Sequence, residues 1–91
     1  MSDVPDSQTL LEFPCQFPIK VFGKQEDDFE QRVYELIKVH VPELQRAHLS
    51  RRDSSGGKYL AVTAPIQAHS QAQLDAIYYD LTDSAAVLMA L

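Results

Sequence analysis

Between Phe13 and Gly23 the chain alternates, with Phe17, Ile19 and Val21 on one side and Pro18, Lys20 and Phe22 on the other. That two-residue repeat predicts a half-buried strand. Pro14 and Pro18 lack a backbone donor, so pairing is expected to be patchy at first and regular from about Ile19. Gly23 reads as the residue that frees the backbone for a tight turn into the acidic run Gln25-Glu26-Asp27-Asp28. The period then becomes helical. Phe29, Val33, Leu36, Ile37, His40 and Val41 share one stripe, with Asp27 or Asp28 placed to cap its start and Pro42 to end it.

From Leu44 to Arg52 the set Gln45, Ala47, Leu49, Arg51 alternates with Arg46, His48, Ser50, Arg52. This predicts a weakly apolar strand whose charges suit a sheet edge. Asp53 to Gly57 is rich in residues that tolerate positive φ and closes a hairpin onto a third strand. There Leu60, Val62, Ala64 and Ile66 are expected to face the core, and Tyr59, Ala61, Thr63 and Pro65 the opposite side. Ser70 and Gln73 form a capping box ahead of a second helix whose stripe is Leu74, Ile77, Tyr78 and Leu81. Ala85 to Leu91 then reads as a fourth strand with Val87, Met89 and Leu91 inward, although Ala, Leu and Met also suit a helix. The order is β-α-β-β-α-β. Two right-handed crossovers place both helices on one face of a four-stranded antiparallel sheet, the ferredoxin-like α+β arrangement.

A chain of 91 residues has one core to build, so residues 10–91 are read as a single domain. Residues 1–9 offer little to bury and read as a flexible tail, with Leu10, Leu11 and Phe13 as an arm against the core. The net charge of −5 gives no electrostatic drive toward nucleic acid or anionic lipid. The longest apolar run, Ala85 to Leu91, is far short of the roughly 20 residues that cross a bilayer, so no membrane partner is expected. A single cysteine and a start without signal-peptide character point to the cytoplasm.

The same residues argue against most chemistries that this topology hosts. An iron–sulfur cluster needs about four thiolates and a soft-metal chaperone needs paired cysteines, whereas Cys15 stands alone and reads as a small apolar filler. Gly57-Lys58 resembles part of a phosphate loop, but position 52 is Arg52 and Tyr59 follows the lysine, so it is a hairpin loop. An acylphosphatase-like reading meets the acidic Lys24 to Asp28 loop, which repels phosphate. His40, His48 and His69 lack metal-ligand spacing, and no nucleophile, base and orienting group stand out as a set. Neither catalysis nor a cofactor is expected. An RNA-binding domain of RRM-like topology is the alternative, with Phe22 and Tyr59 as stacking candidates. Against it, the basic aromatic signature of the third strand is replaced by KYLAVTAP.

What remains is the side of the sheet without helices. It is expected to carry Lys20, Phe22, Tyr59, Ala61, Thr63, Pro65, Leu88 and Ala90, an apolar set for solvent, which either the arm through Leu10, Leu11 and Phe13 folds over or a partner covers. FPCQFPIKVFG, the GGKYLAVT hairpin and the Leu-x-x-Ile-Tyr spacing of the second helix resemble the YbeD-type family, small bacterial proteins of ACT-like fold. The resemblance implies a regulatory or protein-interaction module. ACT domains bind small effectors near the glycine after the first strand, a place held here by Gly23, so a small-molecule effector is a further candidate ligand. Lys20, Phe22, Gly23, Lys24 and Tyr59 are the candidate contact residues for such a ligand or a protein partner. The uncharged terminal strand additionally suits a weak homodimer.

Overall fold

The computed structural model describes residues 12–26, 28–54 and 56–91. The expected tail, the arm residues Leu10 and Leu11, and the capping candidate Asp27 lie outside the described residues. Four strands and two helices follow in the expected order: β1 (Cys15–Lys24), α1 (Phe29–Lys38), β2 (Ser50–Asp53), β3 (Tyr59–Ala68), α2 (Gln71–Asp83) and β4 (Val87–Ala90). The sheet runs β2-β3-β1-β4, with each pair antiparallel. Helix α1 packs over β1 and β3, α2 over β3 and β4, and the helices touch each other. Ile19 and Val21 of β1 and Leu60, Val62, Ala64 and Ile66 of β3 meet Phe29, Val33, Ile37, Leu74, Ile77 and Leu81 in one buried core.

The first strand departs from expectation. Its pairing with β3 is continuous from Cys15↔Ala68 to Lys24↔Tyr59, and the prolines do not interrupt it. Pro18 lies directly opposite Pro65. Lys20 exchanges both backbone bonds with Leu91, at 3.0 and 2.7 Å, so Lys20, and Pro18 two residues before it, turn their backbone groups away from β3. The missing donor of Pro18 therefore points past the end of β4. That of Pro65 points past the start of β2, whose pairing begins at Ser50↔Thr63, and neither proline costs the central ladder a bond.

The second strand is shorter than predicted. A 3-10 turn at Arg46–His48 precedes it, and β2 occupies Ser50–Asp53 alone. Leu44 and Leu49 are both buried, and their separation is odd. An extended chain would send them to opposite faces; the intervening turn lets both reach the core. Glu30, on α1 and almost buried, receives Arg46 at 2.9 Å and Arg51 at 3.7 Å, which fastens this turn and β2 to the helix.

At the start of helix α1 the Asp28 side chain makes no cap hydrogen bond. Asp28 occupies the cap position, but its carboxylate accepts from Arg32 Nε at 2.9 Å, and this hydrogen bond lowers the Asp28 pKa. Helix α2 is capped as the sequence indicates, with Gln73 N–H donating to Ser70 Oγ at 3.1 Å. The glutamine side chain reaches back one residue further, accepting from His69 N–H at 2.7 Å, and its Nε2 donates to the His40 carbonyl at 3.0 Å. His40 Nε2 also meets Asp80 Oδ2 at 2.5 Å, so the turn that follows α1 is tied to α2 through His40.

Gly23 and β4 need the largest revisions. Gly23 is inside β1, opposite Leu60 and Val87, and the described glycines with positive φ are Gly56 (89°) and Gly57 (70°) of the hairpin loop. Gly23 is buried; a Cβ there would lie 2.5 Å from Phe29 Cζ and 2.6 Å from the Ala86 carbonyl oxygen. The glycine is needed for space rather than for a turn. In β4 the register slips between Phe22 and Gly23, so that Val87 faces Gly23 while Met89 faces Phe22. This bulge reverses the alternation. Val87 and Ala90 turn inward, whereas Met89 and Leu91, expected in the core, lie on the open face, and Ala90 leaves it.

Candidate functional site

Directly paired residues of antiparallel strands point to the same side, so the register assembles the open face row by row. Met89, Phe22, Ala61 and Arg52 form one row across all four strands. Leu91, Lys20, Thr63 and Ser50 form the next. Pro18 with Pro65 and Gln16 with Gln67 continue toward the start of β1, the glutamine side chains bonded at 3.2 Å. Lys24 with Tyr59 closes the other end. Tyr59, Met89 and Leu91 are 49%, 51% and 59% exposed, so this side keeps large apolar surface in water among the described residues.

Two adjoining depressions lie at the hairpin end of this face. One, of about 380 Å³, is walled by Phe22, Leu60, Ala61, Tyr59, Arg52, Asp53 and Ser54. The other, about 350 Å³, lies between Lys24, Glu26, Lys58 and Tyr59. Tyr59 forms the ridge between them. Its backbone is held by the loop, since Tyr59 N–H donates to Ser54 Oγ at 3.0 Å and Ser54 N–H donates to the Tyr59 carbonyl at 2.9 Å. On the other side Gln25 N–H donates to the Lys58 carbonyl at 3.0 Å, extending the β1–β3 ladder past Lys24.

Of the residues singled out from sequence, Phe22 and Tyr59 share the first depression, and Lys24 and Tyr59 the second. Lys20 lies on the same face one row away. Gly23 points the other way, beneath them, where its missing side chain admits the Phe29 ring. Sequence reasoning missed Arg52, Lys58, Met89 and Leu91. Pairing outward from the Gly56-Gly57 loop would have placed Arg52 opposite Ala61, because the hairpin sets that register. No sequence signal marks the β4 bulge that exposes Met89 and Leu91.

The histidines remain apart: His40 pairs with Asp80, His69 lies 3.6 Å from Glu43, and His48 borders a separate depression with Gln16 and Gln67. Among the described residues no group of three or more His, Cys, Asp or Glu could hold a metal ion. No helix among them is long and apolar enough to cross a membrane.

The element order, the sheet order and the placement of both helices on one side define a ferredoxin-like α+β domain whose opposite sheet face carries no other element among the described residues. The chain belongs to the family of proteins of unknown function DUF493, whose model matches residues 8–91. It is 43% identical over 91 residues to a UPF0250 protein of Chromobacterium violaceum, covering the whole of both chains. A UPF0250 protein of Neisseria gonorrhoeae is 40% identical over the same span, again all of both chains. Among solved structures, the protein HP0495 of H. pylori superimposes with a TM-score of 0.67 over 89% of this chain and 85% of that one. At 13% identity that likeness speaks for the fold.

Proposed function

We propose that this domain is a small, non-enzymatic regulatory or interaction module that receives a protein partner on the open face of its sheet. Lys20, Phe22, Lys24 and Tyr59 are the contact residues, and Gly23 supports them from the core side. The observation that carries the reading is the row Met89, Phe22, Ala61, Arg52 beside Leu91 and Lys20, where apolar side chains are left exposed by the described residues and are edged by cations. Monomers rarely leave a contiguous apolar surface of this kind without a use. The depression beside it is lined by aliphatic, aromatic and hydroxyl groups with one guanidinium and one carboxylate, a lining suited to holding a side chain rather than to transferring a proton.

Two variants test the reading by capture from an extract of the native host. Tyr59→Ala and Lys24→Glu alter exposed side chains and are expected to change stability by about 0.5 kcal/mol or less. Both are expected to lose the partner that the unaltered domain retains. If either melts as the unaltered domain does and still captures the same partner to the same extent, the binding surface lies elsewhere.

A further inference from the structure

The chemistry of the partner follows from how the cations are distributed, given the reading of the open face as the binding surface. The chain is acidic, with 13 Asp and Glu against 8 Lys and Arg. Four of those eight cations are already engaged. Arg32 pairs with Asp28, Arg46 with Glu30, and Arg51 with Glu30 and Asp53. Lys38 Nζ donates to the carbonyls of Pro42 and Leu44 at 3.0 and 2.9 Å. The other four are Lys20, Lys24, Arg52 and Lys58, which make no ion pair among the described residues. All four belong to one surface. Lys20, Lys24 and Arg52 project from the open face opposite Thr63, Tyr59 and Ala61, and Lys58 flanks Tyr59 across the second depression.

We propose that the partner presents an acidic, extended segment, with an apolar side chain entering the depression between Phe22, Tyr59, Ala61 and Arg52 and carboxylates on either side meeting Lys20 and Lys24. Lys20, Phe22 and Lys24 occupy alternate positions of one strand and point the same way. The two lysines are therefore about 13 Å apart, the length that four residues of an extended peptide cover. A segment running along the strand with acidic, apolar and acidic residues at alternate positions matches this spacing. The chain's net charge disfavours a polyanion at long range, whereas a short acidic segment meets the local cations once docked. The apolar strip through Pro18, Pro65, Met89 and Leu91 suits peptide side chains. A base-stacking surface would instead need several exposed rings, and Tyr59 is exposed here while Phe22 is half-buried.

The test uses the full chain and four fluorescein-labelled probes in an anisotropy titration: Glu-Ser-Phe-Ser-Glu, Lys-Ser-Phe-Ser-Lys, Glu-Ser-Ser-Ser-Glu and an oligouridine. The first peptide is expected to bind about tenfold or more tightly than the second, because both charge contacts change sign. It is expected to exceed the third by about tenfold, the worth of a well-packed aromatic anchor. In the Lys20→Glu, Lys24→Glu double variant the preference is expected to reverse toward the lysine peptide. Equal binding of the acidic and basic peptides, no binding of any peptide, tighter binding of oligouridine, or an unchanged preference in the double variant would each overturn the proposal. A partner that depends on Tyr59 but binds through a segment without acidic residues would sink this inference and leave the open-face reading standing.

Discussion

Replacing Gly23 with valine is expected to destabilise the domain by about 3 kcal/mol, the upper end for bulk forced into a packed core. For a domain of this size that corresponds to a fall of roughly 12–24 °C in Tm. The cause is steric and comes from two directions. A side chain at this position would run into the Phe29 ring on one side and the Ala86 carbonyl oxygen, at 2.6 Å, on the other. The ring is buried, and the carbonyl belongs to the backbone entering β4. Gly56 provides the contrast. Its φ of +89° strains any other residue, but nothing lies within 4 Å of a Cβ there. Gly56→Ala is expected to cost only about 1 kcal/mol. Thermal melts of the two variants decide the point, and a Gly23→Val protein that melts within a degree or two of the unaltered one would show that the notch is not tight.

Phe29→Ala is expected to cost about 3–5 kcal/mol, the usual range for removing a buried ring. That is a large share of the roughly 5–15 kcal/mol that holds an ordinary domain together. Phe29 is 1% exposed, starts α1 and fills the space that Gly23 leaves, so its loss loosens the seam between α1, β1 and β4. The two positions are expected to couple. Once the ring is gone, Gly23→Ala meets the Ala86 carbonyl alone, so the double variant should be less destabilised than the sum of the singles by about 1 kcal/mol. Strict additivity in denaturant titrations would show that ring and glycine do not share the space as described.

The seam also shows how far the sequence could be read. The stripes of α1 and α2 and the alternation of β1 and β3 were legible because each carries one period through a run of apolar residues, and the core uses those residues. Gly23 was legible as special but not as to why. A glycine that yields space looks the same in sequence as one that makes a turn, and only the neighbouring Phe29 ring separates them. Pro18 and Pro65 look like breaks in a strand until each is seen to face past the end of a shorter neighbour. Leu44 and Leu49 could be buried together only by leaving the strand period, which the 3-10 turn does.

For the candidate site the same logic applies. Lys20, Phe22 and Tyr59 stand out from alternation within single strands, where parity is secure, whereas Lys24 reads from sequence as a loop residue beside Gly23 and joins them because β1 runs on through Lys24 to pair with Tyr59. Arg52, Met89 and Leu91 join them only through registers between strands. The bulge in β4 is decisive, since one extra residue exchanges the side chains that face the core for those that face solvent. It makes the open face more apolar than the sequence indicates and strengthens its reading as a binding surface.

The most direct test of that reading compares two tyrosines in the living host. Tyr59 stands on the open face at 49% exposure, and Tyr79 on α2, on the helix side, at 70%. Each is replaced in turn by the photo-crosslinking residue benzoylphenylalanine. Exposure alone would favour crosslinks from position 79. The open-face account expects a discrete crosslinked partner from position 59, lost when Lys24→Glu is added, and none from position 79. A partner crosslinked from position 79 and absent from position 59 would contradict it and move the binding surface to the helices.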